Sequence, residues 1–254
     1  MSNKKIYKIS ILAILLVVAF FMRVHIKDWF YELKKIGLPS EIKYTYHIEP
    51  EDTSSGINLA VPFFAQAPDG DWSLPYLEAC EETSALLVDS FYRGTELDTE
   101  TVKQEIVKMV EWEDKRFGHN LDTTAQETAI LLEEYFAYER VEVIYDFSIE
   151  ALKKHLAMDR PVIVPVAGRL LNNPFYKAPG PVYHTLVVKG FTKDGDFITN
   201  DVGTRRGHNY VYKADIFYDA IHDGPENVNE LDDETLEKEI LSGRKAMIIV
   251  YPNE

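Results

Sequence analysis

The order of two periodicities constrains this chain more than any single residue does. Apolar residues first recur at helical spacing: Val102, Ile106, Met109 and Val110 fall on one face with Glu113, and Ala125, Ala129, Leu132 and Phe136 on another. The second pattern opens on Thr124-Ala-Gln-Glu127, a capping-box sequence whose hydroxyl and carboxylate satisfy free N–H groups at a helix start. A third helix is predicted over Ser148–Met158, with Ile149, Leu152 and Leu156 inward. Then the grammar changes. VEVIY, PVIVPVA, HTLVVKGF, FITND, NYVY and AMIIVY are short β-branched and aromatic runs, separated by Gly, Pro and Asp-Gly turns. Helices followed by strands, without sustained alternation, predict an α+β domain built on an antiparallel sheet and argue against a doubly wound parallel one. The acidic stretch HDGPENVNELDDETLEKEILSGRK interrupts the strands and reads as a solvated loop or a surface helix.

The first residues follow a different rule. Lys4, Lys5 and Lys8 precede an uncharged apolar run, Ile9 to Met22, that ends at Arg23. The run reaches bilayer length as Ile6 to Ile26 if Lys8 and Arg23 snorkel to the interfaces. It ends Ala-Phe-Phe-Met-Arg, without the small residues of a signal-peptide cleavage site, so an uncleaved anchor is expected, with the C-terminal domain outside the cytoplasm. The expected organisation is a membrane anchor over 1–26, a charged stalk over 27–56 containing one short helix, and a globular domain over 57–254. A chain that is 46% hydrophobic has the apolar content for a core, and a formal charge of -15 excludes a basic footprint for nucleic acid. The lipid bilayer is the partner that the N-terminal run implies.

Cys80 is the only cysteine in the sequence. A lone thiol is a buried inert side chain, half of an intermolecular disulfide, or a nucleophile. Cys80 opens a helical pattern in which Ser84, Leu87 and Phe91 share its face, and a helix N-terminus stabilises a thiolate. Glu81 and Glu82 oppose that effect. Of seven histidines, His25 and His47 lie in the anchor and stalk, and His119, His155, His208 and His222 in loop or surface contexts. His184 begins a strand. If Phe191 pairs with Asp196 across the TKDG turn, Leu186 pairs with Asp201, and His184 and Asp201 share one face of the hairpin. A one-residue slip would present Asn200 instead; the simpler turn favours Asp201.

VPFFAQ, ACEETSALLV, YHTLVVKGF and ITNDVGTRRG, in that order between Val61 and Tyr251, together resemble family thirty-nine of the cysteine peptidases. That group includes the bacteriocin-processing peptidases that cut after double-glycine leaders, and the likeness is greatest to its stand-alone relatives. Two positions differ from the bacteriocin-processing members: Glu81 stands where they carry glycine, and Val202 where they carry proline. The resemblance implies a papain-like fold, with the nucleophile at the start of a helix packed against an antiparallel sheet that carries the base. It implies Cys80 as nucleophile, His184 as general base and acid, Asp201 as orienting acid, and Gln66 as an oxyanion donor. Trp72, Tyr76 and the loop RLLNNPFYKAPGPVYH are candidates for lining a substrate cleft. The expected activity is a thiol hydrolase of peptide or amide bonds, acting on a peptide or protein substrate. The alternatives are an acyl transferase or cell-wall amidase with the same triad, and a catalytically silent binding domain. No metal or cofactor is called for, since the sequence holds no HExxH and no complete calcium loop.

Overall fold

The computed structural model describes residues 25–45 and 54–253. The expected anchor lies almost wholly outside them, as does the part of the stalk from 46 to 53. Among the described residues no helix is long and apolar enough to cross a membrane. Residues 25–35 form helix α1, within a unit that ends at Gly37. The second unit, Leu38–Glu254, holds every other element.

That second unit is α+β with an antiparallel sheet, as the order of periodicities requires. Helix α2 runs Cys80–Arg93, α3 Thr99–Arg116, α4 Ala125–Ile130 and α5 Ile149–Leu156. Strands β1 Gly56–Asn58, β2 Arg140–Tyr145, β3 Val162–Ala167, β4 Tyr183–Thr192, β5 Phe197–Asn200, β6 Tyr210–Tyr212 and β7 Ala246–Tyr251 form one sheet. Its order is β2-β7-β3-β4-β5-β6, antiparallel throughout, with β1 pairing the C-terminal half of β4. β3 and β4 are central and buried on both faces, which is why their sequences are nearly continuous apolar runs instead of alternating ones.

The predicted capping box closes as expected: Glu127 N–H donates to Thr124 Oγ1 at 3.3 Å, and Thr124 N–H to Glu127 Oε2 at 2.9 Å. After Ile130 the helix widens into a π-turn over Leu131–Tyr135, which carries Leu131 and Leu132 into the core. The acidic insertion forms α7, Asp233–Ser242; Leu236 and Ile240 pack on Ala167, Tyr183 and Val228 while the acids face water. Sequence periodicity gave no signal for β1 or for α6, Ala214–Ala220, because three and seven residues are too few to establish a period.

Part of the expected stalk docks on the domain. Ile42 N–H donates to Asn58 O and Ala60 N–H to Ile42 O, and Glu41 reaches the buried Lys189 ammonium at 2.6 Å. Burial lowers the Lys189 pKa, and Glu41 works against that by pairing with the charge. Lys189 marks a bulge. The hairpin starts one residue away from the expected register, with Phe191 opposite Phe197 where Asp196 was expected. The irregularity between Val188 and Gly190 absorbs one residue, so that Val187 faces Asn200 and the chain regains the expected alignment before it reaches His184 and Asp201.

Candidate active site

The site lies where the start of α2 meets the N-terminal half of β4. Cys80 is the first residue of α2, with Ala79 as N-cap and no side chain capping the helix. Its thiol is 3% exposed. The N–H of Thr185, the residue after His184, donates to Cys80 Sγ at 3.3 Å, and Ser84 Oγ reaches Thr185 O at 3.5 Å one turn further along the helix. These bonds fix the start of α2 directly against the strand that carries His184.

His184 is 2% exposed, and its Nε2 lies 3.0 Å from Asp201 Oδ1. An ionised carboxylate only accepts, so Nε2 is the ring nitrogen that donates to Asp201. Asp201 is fully buried and receives four further donors: Gly203 N–H on Oδ1, and Asn173 Nδ2, Tyr176 OH and Tyr212 OH on Oδ2 at 2.9, 2.7 and 2.5 Å. Burial alone would raise its pKa. The bonds from His184 and the two tyrosines outweigh burial and hold the carboxyl below its ordinary value. Two glycines make room for this arrangement. A Cβ on Gly203 would stand 2.9 Å from His184 Cε1, and one on Gly207 would stand 1.7 Å from Asp201 O.

Gln66 comes to the same place. Its backbone N–H donates to Val202 O at 2.9 Å, next to Asp201, while Asn200 Nδ2 holds the strand-like VPFFAQ segment through Val61 O and Pro62 O. Asn200 is thereby committed to that segment, and of the two residues considered from the register, Asp201 is the one bonded to His184. The Gln66 amide is not free either. Nε2 donates to Leu77 O at 2.7 Å and Tyr76 O at 3.2 Å, and Oε1 is buried without a partner. Trp72 is exposed on the loop before the 3-10 turn Tyr76–Glu78, and the Tyr76 ring lines a groove with Lys103, Gln104 and Val107 of α3.

The electrostatics around the thiol are acidic. Cys80 Sγ lies 3.0 Å from Glu81 Oε2, and Thr185 Oγ1 donates to Glu81 Oε1 at 3.2 Å. Burial pushes the thiol pKa well above its ordinary value; Glu81 and Asp122 push it further, and the Thr185 N–H opposes them. Burial also raises Glu81, to about 8, despite the bonds it accepts. Glu78 and Asp122 are raised by burial as well, with His184 pulling Glu78 the other way. Behind them, Glu82 and Glu113 are buried and none of their carboxylate oxygens has a hydrogen-bond partner; burial raises the pKa of both, and Glu113 raises that of Glu82 further. Among the described residues no cluster of three or more His, Cys, Asp or Glu could hold a metal ion.

Residues 58–223, about two thirds of the chain, match the profile described as the Peptidase_C39 like family. The chain belongs to this family. Its matched region is therefore a peptidase-like domain of the cysteine peptidase kind. No curated protein matches the chain significantly. Among solved structures, the chain is similar to a candidate C39-like peptidase from Bacillus anthracis, at 15% identity and a TM-score of 0.43, over 77% of this chain and 96% of that one. A fragment of prointerpain A from Prevotella intermedia matches at 12% identity and a TM-score of 0.38, over 74% of this chain and 51% of that fragment.

Sequence reasoning missed the groups that hold Asp201 and the one that holds Cys80. Asn173 and Tyr176 come from the loop expected to line a substrate cleft, and they bond the carboxylate of Asp201. Glu81, expected as a charge that opposes the thiolate, also bonds both the thiol and Thr185.

Proposed function

We propose that this C39-like domain is a papain-like thiol hydrolase of peptide or amide bonds, held at a membrane by the N-terminal apolar run. Cys80 is the nucleophile. His184 Nδ1 takes the thiol proton, and the sulfur attacks the carbonyl carbon of the substrate amide. His184 then returns that proton to the leaving nitrogen as the C–N bond breaks, and a water molecule, deprotonated by the same ring, hydrolyses the thioester and restores the thiol. Asp201 keeps Nε2 protonated and stabilises the imidazolium. The Cys80 N–H at the open helix end and the Gln66 amide hold the oxyanion. In the state described here the sulfur is bonded to Glu81 and both Gln66 amide protons to carbonyls, so substrate binding has to release the sulfur from Glu81 and Gln66 from the Tyr76–Glu78 turn.

The observation that carries this reading is the double use of β4. One residue of the strand bonds the sulfur at 3.3 Å through its backbone N–H, and the residue before it bonds the buried acid at 3.0 Å through its imidazole. A peptide-library digest with the wild-type chain and with Cys80→Ser tests it. Cleavage by the wild type alone is the expected result, and identical product patterns would remove the hydrolase. A catalytically silent domain is the second reading, favoured by the burial of the thiol and its bond to Glu81. It predicts that alkylation of Cys80 is unaffected by His184→Ala, whereas the hydrolase predicts slower alkylation below pH 8 in that variant.

A further inference from the structure

Helix α1 exposes an apolar stripe that belongs to neither the core nor the site. Ile26, Trp29, Phe30, Leu33 and Ile36 are 48, 58, 56, 37 and 75% exposed. At 3.6 residues per turn the four helical positions, Ile26, Trp29, Phe30 and Leu33, fall within an arc of about 100°, and Ile36 follows in the turn that ends the helix. The other side of the helix carries Lys27, Asp28, Tyr31, Glu32, Lys34 and Lys35, and it makes bonds of its own: Lys35 Nζ lies 3.3 Å from Glu32 Oε1 and 3.9 Å above the Tyr31 ring. A helix that is polar on one face and solidly apolar on the other needs a partner for the apolar face.

We infer that this stripe seats in the headgroup and acyl boundary of a lipid bilayer. Three features favour lipid over a second copy of the chain. The uncharged run Ile9–Met22 ends three residues before the described part of α1, so if that run enters the bilayer, the stripe follows it directly in the chain, close to the membrane surface. Trp29 and Phe30 stack edge to face with centroids 5.1 Å apart in the middle of the stripe, and amphipathic aromatic rings concentrate at this depth of a membrane. Lys27 and Lys34 border the arc, where their stems can lie along the apolar face. The stripe is also wider than the a/d line that a coiled-coil dimer seam uses. The stripe would then hold the first residues of the stalk flat on the membrane and limit how far the catalytic domain travels from it.

This inference rests on the anchor reading above, and the test separates the two. The full chain with Trp72→Phe and Trp112→Phe, leaving Trp29 as the only tryptophan, is reconstituted into phosphatidylcholine vesicles carrying phosphatidylglycerol. The expected result is co-flotation with the vesicles, a blue shift of Trp29 emission, loss of most iodide quenching, and strong quenching by lipids labelled near the headgroup. Adding Phe30→Lys and Leu33→Lys, both at exposed positions, should return Trp29 to water-like emission while flotation persists. A chain that floats while Trp29 stays fully open to iodide overturns the seating of the stripe and leaves the anchor standing. A chain that does not float overturns both. Trp29 shielded equally without lipid, in a species of twice the mass, assigns the stripe to a second copy and overturns the lipid partner.

Discussion

Replacing Glu113 by glutamine should stabilise the protein, and by an amount that depends on pH. Glu113 is buried close to Glu82, and no hydrogen-bond partner meets the carboxylate oxygens of either. Burial raises the Glu113 pKa from 4.5 to about 8. Between those values the folded chain holds a proton that the unfolded chain has released, so stability is greatest below pH 4.5 and falls as pH rises toward 8. The slope is ~1.4 kcal/mol per pH unit, which accumulates to about 3 kcal/mol between pH 4.5 and pH 7. Glutamine keeps the size and can donate an N–H to Glu82, but has no proton to lose. The difference between Glu113→Gln and wild type should therefore grow by about 3 kcal/mol over that range, roughly a hundredfold in the folding equilibrium. Denaturant unfolding at intervals from pH 4.5 to pH 8 measures it directly. A difference that stays flat with pH, or that turns against the variant as pH rises, would show that Glu113 is ionised in the native protein and would refute its raised pKa.

Further expectations concern the site. Asp201→Asn should lower turnover by roughly 100-fold to 10,000-fold, because an amide can present N–H to His184 and select the wrong tautomer; a rate within twofold of wild type in the peptide digest would exclude the orienting role. Glu81→Gln removes the carboxylate beside the sulfur, so the pH profile of Cys80 alkylation should move to lower pH and the rate above pH 8 should rise; an unmoved profile would mean that Glu81 only packs against the thiol. Gly203→Ala drives a methyl group to 2.9 Å from the His184 ring and should lower kcat while leaving the melting temperature close to wild type. Thr124→Ala removes one half of the capping box and should cost about 1 kcal/mol in chemical denaturation with no change in activity.

Much of this arrangement could be read before any coordinates. The β-branched runs, the helical spacings and the Thr124 cap identify nearly every long element of the second unit, because each reports a local fact: which face is buried, or how an end is satisfied. The register of the β4–β5 hairpin was half legible. The turn was misplaced by one residue, and the bulge at Lys189 corrected it, so that His184 and Asp201 met as expected although the chain between them did not follow the simple count. Gln66 shows the opposite case. Its position was legible as a strand-like segment ahead of the nucleophile, but the carbonyls that occupy its amide come from a 3-10 turn that has no period to detect.

By itself the sequence determined the α+β class, the lone thiol at a helix start, and the strand that carries the histidine, since periodicity and capping are written within a few neighbouring residues. Only the tertiary structure decided that Tyr176, Tyr212 and Asn173 converge on one carboxylate, that Asn200 ties down another segment, and that the thiol rests against Glu81. Those pairings join residues far apart in the chain, or choose among rotamers of adjacent ones, and burial alone made them necessary: a buried charge or polar group must find a partner, and which partner is in reach depends on how the helix and sheet pack.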